Sequence, residues 1–437
     1  MTTPTTISQL IHDPSCMDDY DPNAMSVTKA RQFIQQFLNP VIETERLSIN
    51  ESLGRVIAAE VLSPSNVPNY DNSAMDGYAF NSQDIDTKDV IRLRVIGTAF
   101  AGKGFNGKVA LGECVRIMTG AAIPDGADTV VVHEKVVQEK VPQEVIFSHE
   151  SYISFSDAPK PQMNVRYAGE DLKQGQTVLS AGHLMRPADL GLIASLGIDS
   201  VKVFRKLKVA FFSTGDELVS IGKPLETGQV YDSNRYTLFG MLTRLGVEII
   251  DLGAIADDPV ALEKTLLSAA NQADVVITSG GVSVGEADYM KRLLEKHGQV
   301  MFWKIAMKPG RPLAYGKIGQ AHYFGLPGNP VAVMVTFYQF VREAMLRLMG
   351  RNQPDALPTF NVECTQPIRK LTGRTEFQRG ILFSDADGVW RVRPTGAQGS
   401  ALLSSMSLAN CFIVLDETIG NLEAGAFVQV QMLDGII

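Results

Sequence analysis

Residues 273 to 288 read Ala-Asp-Val-Val-Ile-Thr-Ser-Gly-Gly-Val-Ser-Val-Gly-Glu-Ala-Asp, a buried-strand pattern running into a glycine turn that closes on Glu286 and Asp288. Glycines at 280, 281 and 285 let the backbone approach an anion and present N–H groups to it. Ser279 and Ser283 belong to the same turn and join the candidate substrate contacts, while Asp288 is placed to hold a cation that offsets phosphate charge. Ser213-Thr214-Gly215-Asp216-Glu217 follows another strand, so Ser213, Thr214 and Gly215 are candidate contacts whose neighbouring carboxylates should share the rim with Asp288. Asp257-Asp258 trails a third strand; helix capping accounts for Asp258, whereas Asp257 has no evident structural duty. Several carboxylates on one rim suit Mg²⁺, an oxygen-seeking ion that keeps waters beside a phosphate. Glu217, Asp257 and Asp288 are the candidate ligands, with surface ion pairing as the competing reading.

Two further turns carry charge or free donors. Lys308-Pro309-Gly310-Arg311-Pro312 sets two cations around a rigid turn, suited to a tetrahedral oxyanion, although a solvated turn would look the same. Leu326-Pro327-Gly328-Asn329-Pro330 joins a strand to a helix start, where topology alone competes with ligand binding. Arg116-Ile117-Met118-Thr119-Gly120-Ala121 delivers the Thr119 hydroxyl to a glycine turn. Asp71 to Ala79, which includes Asp76, is dense in small polar groups without helix or strand period; an ordinary Asx turn is its plain explanation.

The elements that must position these groups follow from periodicity. From Ser26, the apolar positions Val27, Ala30, Ile34, Phe37 and Leu38 predict an amphipathic helix that Asn39-Pro40 stops. Residues 64–174 are broken by Pro and Gly into short apolar runs and read as a mostly β insertion. Residues 207–350 alternate strands with helices: Asp258-Pro259 caps one helix and Asn329-Pro330 starts a long one reaching about Met349. Such alternation predicts a mostly parallel sheet with ligands at the carboxyl ends of its strands. Residues 355–437 return to short strands and predict a small β-barrel-like domain. The expected division is a polar arm at 1–25, a linking domain from 26–63 and 175–206, the β insertion, the α/β domain and the terminal β domain. The fold class is thus multidomain, α/β plus β.

Composition narrows the function. A chain of 437 residues exceeds one ordinary core. With 48 acidic against 40 basic residues and no basic block, nucleic acid is not an expected partner. Four scattered cysteines form no Cys-x-x-Cys pair, the six histidines lack metal-ligand spacing, and no Walker pattern occurs. No run of about 18 apolar residues exists, and the first 25 residues carry Asp13, Asp18, Asp19 and Asp21 without an apolar segment, so neither a membrane nor a secretory signal is expected and the location reads as cytoplasmic.

Taken in order, Asp71-Asn72-Ser73-Ala74-Met75-Asp76-Gly77-Tyr78, Arg116 to Gly120, Ser213 to Glu217, Tyr231-Asp232-Ser233-Asn234-Arg235, Gly280 to Gly285 and Gly325 to Pro330 resemble the MoeA-type molybdopterin molybdenumtransferases, a family that includes the E domain of gephyrin. The resemblance runs from about residue 26 to the C-terminus. It implies a four-domain homodimer whose cleft lies between the α/β domain of one subunit and the β insertion of the other. It also implies Mg²⁺-dependent insertion of molybdate into adenylylated molybdopterin with release of AMP, in contact with other proteins of molybdenum cofactor biosynthesis. On this resemblance Asp76, Thr119, Asp171, Glu217, Asp257 and Asp288 match residues linked to activity, Lys308, Arg311, Arg379 and Ser400 become candidates for oxyanion contact, and Pro327 and Pro330 join the substrate-binding set. Arg311 stands where many members carry lysine, and the polar start has no family counterpart. A molybdopterin adenylyltransferase, resembling residues 207–350 alone, and a gephyrin-like scaffold are the alternatives.

Overall fold

The structure, a computed structural model, describes residues 24–85, 90–139, 151–281, 287–352 and 357–433. They pack as two units. One joins the chain up to Ala58, Gly182–Arg186 and everything from Lys202 onward; the other holds Ala59–Ala181 and Pro187–Val201. Helix α1 (Val27–Gln36) starts at Ser26, whose hydroxyl accepts the Lys29 N–H at 3.3 Å. Its apolar stripe, Val27, Ala30 and Ile34, enters the same core cluster as Val209 and Phe211 of the α/β sheet. The five-part division read from the sequence is retained as our proposal for how these units subdivide.

The β unit is built on six strands: β1 (Gly77–Phe80), β2 (Ile91–Ala99), β3 (Glu113–Ile117), β4 (Thr129–Val132), β5 (Val137–Glu139) and β6 (Ser151–Phe155), in the order β4-β1-β3-β2-β6-β5. All pairings are antiparallel except β2 with β3. Alternate residues serve opposite faces: Tyr78 and Phe80 enter one apolar cluster, Ala79 the other. Gly77 is required by strand proximity, since a Cβ there would lie 2.0 Å from the Val131 carbonyl oxygen. The unit also contains α2 (Pro187–Ser195), with proline as its first residue.

The α/β sheet uses β7 (Lys208–Thr214), β8 (Glu248–Ile255), β9 (Val275–Ser279), β10 (Gly298–Lys304), β11 (Pro312–Ile318) and β12 (Ala321–Leu326), ordered β8-β7-β9-β12-β11-β10. The first four run parallel, and β10 and β11 form an antiparallel edge. Helices α3 (Ser233–Leu245), α4 (Pro259–Gln272) and α5 (Ala287–His297) connect them. Asp232 caps α3 by accepting the Arg235 N–H at 3.1 Å, and Asp258 caps α4 through Ala261 N–H at 2.8 Å. The expected long helix from Pro330 is interrupted: α6 (Pro330–Thr336) passes into a π-helical turn at Phe337–Val341 before α7 (Arg342–Leu348), and the Asn329 side chain makes no capping bond. Gln339 explains what the π turn accommodates, because its buried amide donates to Gln431 at 2.7 Å while its backbone and side-chain oxygens accept from Arg31.

The C-terminal strands β13 (Thr359–Cys364), β14 (Thr375–Ser384), β15 (Trp390–Pro394), β16 (Cys411–Leu415) and β17 (Phe427–Met432) pair as β14-β15-β13-β17-β16, and β16 pairs back to β14. That last pairing closes a five-stranded barrel. Helix α8 (Leu403–Leu408) lies between β15 and β16 in the chain.

Candidate functional site

The carboxyl ends of β7, β9 and β12 form one rim. Gly280 adopts φ +92°, and a Cβ on it would sit 2.6 Å from the Thr214 carbonyl oxygen; Gly281, at φ +68°, would meet the Thr214 hydroxyl at 3.1 Å. The glycines are thus needed first for the packing of this turn on the end of β7. Two residues at the start of α3 tie the strand ends together. Asp232 accepts the Ser213 hydroxyl at 3.0 Å, and the Asn234 amide donates to Ser279 Oγ at 2.8 Å and to the Gly328 carbonyl at 2.7 Å. Sequence reading matched Asp232 and Asn234 only as part of a motif; their spacing at a helix start was the available signal.

Asp216 and Asp257 meet on this rim, the Asp257 N–H donating to Asp216 Oδ1 at 3.0 Å, while the Glu217 carboxylate folds over Gly215. Asp257 therefore has a structural duty in its backbone. Among the described residues no group of three or more His, Cys, Asp or Glu is gathered tightly enough to hold a metal by itself. The donors on the rim fit Mg²⁺ only in its usual mode, with one or two carboxylates supplemented by substrate oxygens and water. Ser283 and Gly285 lie outside the described residues, as does the side chain of Asp288 in α5.

Beside the rim, Lys308, Arg311, Arg374 and Ser400 line a cavity of about 660 Å³ together with Pro327 and Gly328. The β10–β11 loop supplies the first two, the β12–α6 turn the prolyl-glycyl wall, and the barrel the others. Met307–Lys308 pairs with Thr375–Glu376 of β14, which fixes that loop on the barrel. Ser400 is anchored by its carbonyl, which accepts the Val331 N–H at 3.1 Å. Pro330 is absent from the cavity wall and serves as the first residue of α6. Arg379, expected as an oxyanion contact, is 1% exposed and absent from the cavity wall. Arg374, five residues earlier and unassigned by sequence, occupies the wall in its place.

In the β unit, Thr119 reaches across 43 positions of sequence to Asp76: its N–H and its hydroxyl donate to Asp76 Oδ1 at 2.7 and 2.8 Å. These bonds, the backbone one foremost, hold the exposed Asp76 carboxyl below the usual carboxylate range. Asp171 lines a cleft of about 570 Å³ with Arg166, Glu170 and Asn72, the last of these from the turn that also carries Asp76. The turns at 71–76 and 118–121 are woven together by Gly120 N–H to Ser73 O at 2.8 Å and Ser73 N–H to Ala121 O at 3.0 Å.

Comparison with known proteins assigns these features. Residues 25–197 match the MoeA N-terminal region (domains I and II), residues 210–347 a probable molybdopterin-binding domain, and residues 361–433 the MoeA C-terminal region (domain IV). A molybdopterin molybdenumtransferase of Haemophilus influenzae is 45% identical over 413 residues, covering 94% of this chain and all of that protein. The chain belongs to the MoeA family. The MoeA relatives extend to Dictyostelium discoideum gephyrin, 33% identical across 90% of this chain and 60% of gephyrin's length. A Pyrococcus horikoshii moeA crystal structure superimposes with a TM-score of 0.80 at 28% identity, covering 94% of this chain and 100% of that one. MoeA membership also settles a coincidence of letters: residues 281–285 spell Gly-x-Ser-x-Gly, yet the chain is not an α/β-hydrolase. Among the described residues no helix is long and apolar enough to cross a membrane.

Proposed function

We propose that this MoeA-family chain acts as a molybdopterin molybdenumtransferase, inserting molybdate into adenylylated molybdopterin and releasing AMP. The observation that carries the reading is the cavity where Lys308, Arg311 and Arg374 converge within the same unit as the Gly280 turn. Molybdate is a tetrahedral dianion; three cations replace part of its hydration, and the two arginines offer forked donors to its oxygens. Gly328 belongs to both sub-sites, lining the cavity and accepting the Asn234 bond that also holds Ser279. This shared backbone keeps an oxyanion in register with a phosphorylated ligand on the glycine turn.

Ser213, Thr214 and Ser279 offer hydroxyls to that ligand, and the Asp76 carboxylate, held charged by Thr119, orients a donor group or water. One or two carboxylates drawn from Glu217, Asp257 and Asp288 would hold Mg²⁺ together with substrate oxygens and water, and the ion would supply charge neutralisation at the pyrophosphate. No side-chain nucleophile is required, because a molybdate oxygen or a water attacks phosphorus and AMP departs. Homodimerisation, cytoplasmic location and transfer of substrate from other proteins of the pathway belong to the same reading.

Incubation with adenylylated molybdopterin, molybdate and Mg²⁺ tests it: AMP release must rise with molybdate and match molybdenum incorporated into pterin. AMP release indifferent to molybdate defeats the reading. Adenylylation of molybdopterin from ATP would favour the adenylyltransferase alternative. Sedimentation at micromolar concentration decides the dimer.

A further inference from the structure

Among the described residues no acid neutralises the charge of Arg379. Its guanidinium lies inside the barrel wall with no carboxylate in ion-pairing range among the described residues, and burial alone pulls its pKa down to about 10. Its donors go to one short segment and one hydroxyl: Nη2 to the carbonyls of Gly399 at 2.9 Å and Ala397 at 3.4 Å, Nη1 to that of Gln398 at 3.2 Å, and Nε to Ser405 Oγ at 2.9 Å. Ser405 is free to accept because its own proton goes to the Leu402 carbonyl at 2.6 Å. The Gln398 side chain is committed as well, accepting the Arg379 N–H at 2.8 Å and donating to the Arg379 and Gly396 carbonyls, each at 3.1 Å.

Three successive carbonyls turned toward one cation fix the opposite edge of the same peptides. In a trans peptide the C=O and the next N–H point in opposite directions. The N–H groups of Gln398, Gly399 and Ser400 therefore face away from the guanidinium, and among the described residues none of them has a hydrogen-bond partner. Gln398, Gly399 and Ser400 line the cavity with Lys308, Arg311 and Arg374. Free N–H groups on a cavity wall are available to donate to an anion bound there.

We propose that Arg379 is a positioning residue: by gripping the carbonyls of Ala397, Gln398 and Gly399 from behind, it presents the amides of residues 398–400 as the donors that receive molybdate. The inference rests on the oxyanion reading of the cavity given above. It divides the labour between side chains, which bring charge, and a backbone segment, which brings fixed donors.

Equilibrium binding of molybdate alone, followed by calorimetry, is the test, with adenylylated molybdopterin titrated separately. Arg379→Met should raise the molybdate Kd at least about 10-fold and leave the pterin Kd within about twofold, with Arg379→Lys between Met and wild type. A loss of fold would weaken both ligands and lower Tm. Should Arg379→Met not fold, Gly399 decides: Gly399→Pro deletes one N–H and should weaken molybdate about 10-fold, whereas Gly399→Ala keeps it and should stay within about threefold. Wild-type molybdate binding that is unchanged in folded Arg379→Met, or equal losses in the Gly399 pair, overturns the inference. Absence of molybdate binding by the wild type overturns the cavity reading itself.

Discussion

The α/β rim and the Asp76–Thr119 corner of the β unit both expose polar groups, but they hold them by different means. On the rim, Gly280 and Gly281 pack directly against Thr214, and buried Asp232 with Asn234 stitches three strand ends. At the corner, an exposed carboxylate is held by one residue's N–H and hydroxyl. A site enforced by packing tolerates little change of shape, whereas one enforced by a pair of surface hydrogen bonds tolerates change of shape and responds to charge. The two regions should fail differently.

The largest failure is expected from Gly280→Ala. Its Cβ meets a backbone carbonyl at 2.6 Å in a left-handed conformation, so a loss of roughly 3 kcal/mol or more and near-complete loss of AMP release should follow. Urea unfolding and turnover measure both; a stable, active Gly280→Ala chain would dissolve the contrast. Acid should separate the units next. Burial pushes His322, hydrogen-bonded to Tyr315 at 3.2 Å in the α/β unit, down to about 4 from 6.5. Because the unfolded chain takes up this proton first, stability is lost progressively as pH falls from about 6.5 toward 4, by up to roughly 3 kcal/mol. Tm against pH for wild type and His322→Gln checks this, since only the wild type should carry that slope.

Asp76→Asn should cut turnover about 100-fold, equivalent to about 2.7 kcal/mol of barrier, while stability stays within about 0.5 kcal/mol, because Asn can still accept from Thr119. A large stability change would place the corner in the same mechanical class as the rim. Smallest is Gly120→Ala: φ is +80° but only Ala101 lies near the added Cβ, at 3.9 Å, so a cost of about 1 kcal/mol is expected from backbone strain alone.

Much of this contrast was readable in the sequence. The helix starts at Ser26, Asp232 and Asp258 carry side-chain oxygens that the local backbone can use, and all three make the capping bond. Apolar runs gave the strands of the sheet, but a run has no direction, so the antiparallel edge of β10 and β11 was invisible. Charge was visible and burial was not: every residue of β14 from Thr375 to Gly380 is buried, which erases the alternation that would have distinguished Arg374 from Arg379. The π turn escaped because its cause, Gln339 meeting Arg31 and Gln431, lies in residues remote in sequence. Asp76 and Thr119 were each singled out, yet nothing in the residues between them announced a bond between positions 43 apart.

The two-residue pairing of Met307–Lys308 with β14 has a consequence for anyone treating the C-terminal barrel as a detachable module. Its sequence match begins at residue 361, and closure among its own five strands makes it look separable. Yet the loop bearing Lys308 and Arg311 takes its seat from that barrel. A transplant that swaps barrels between relatives must carry the complement of residues 307–308 with it, or the recipient inherits a sound scaffold with its oxyanion loop unmoored.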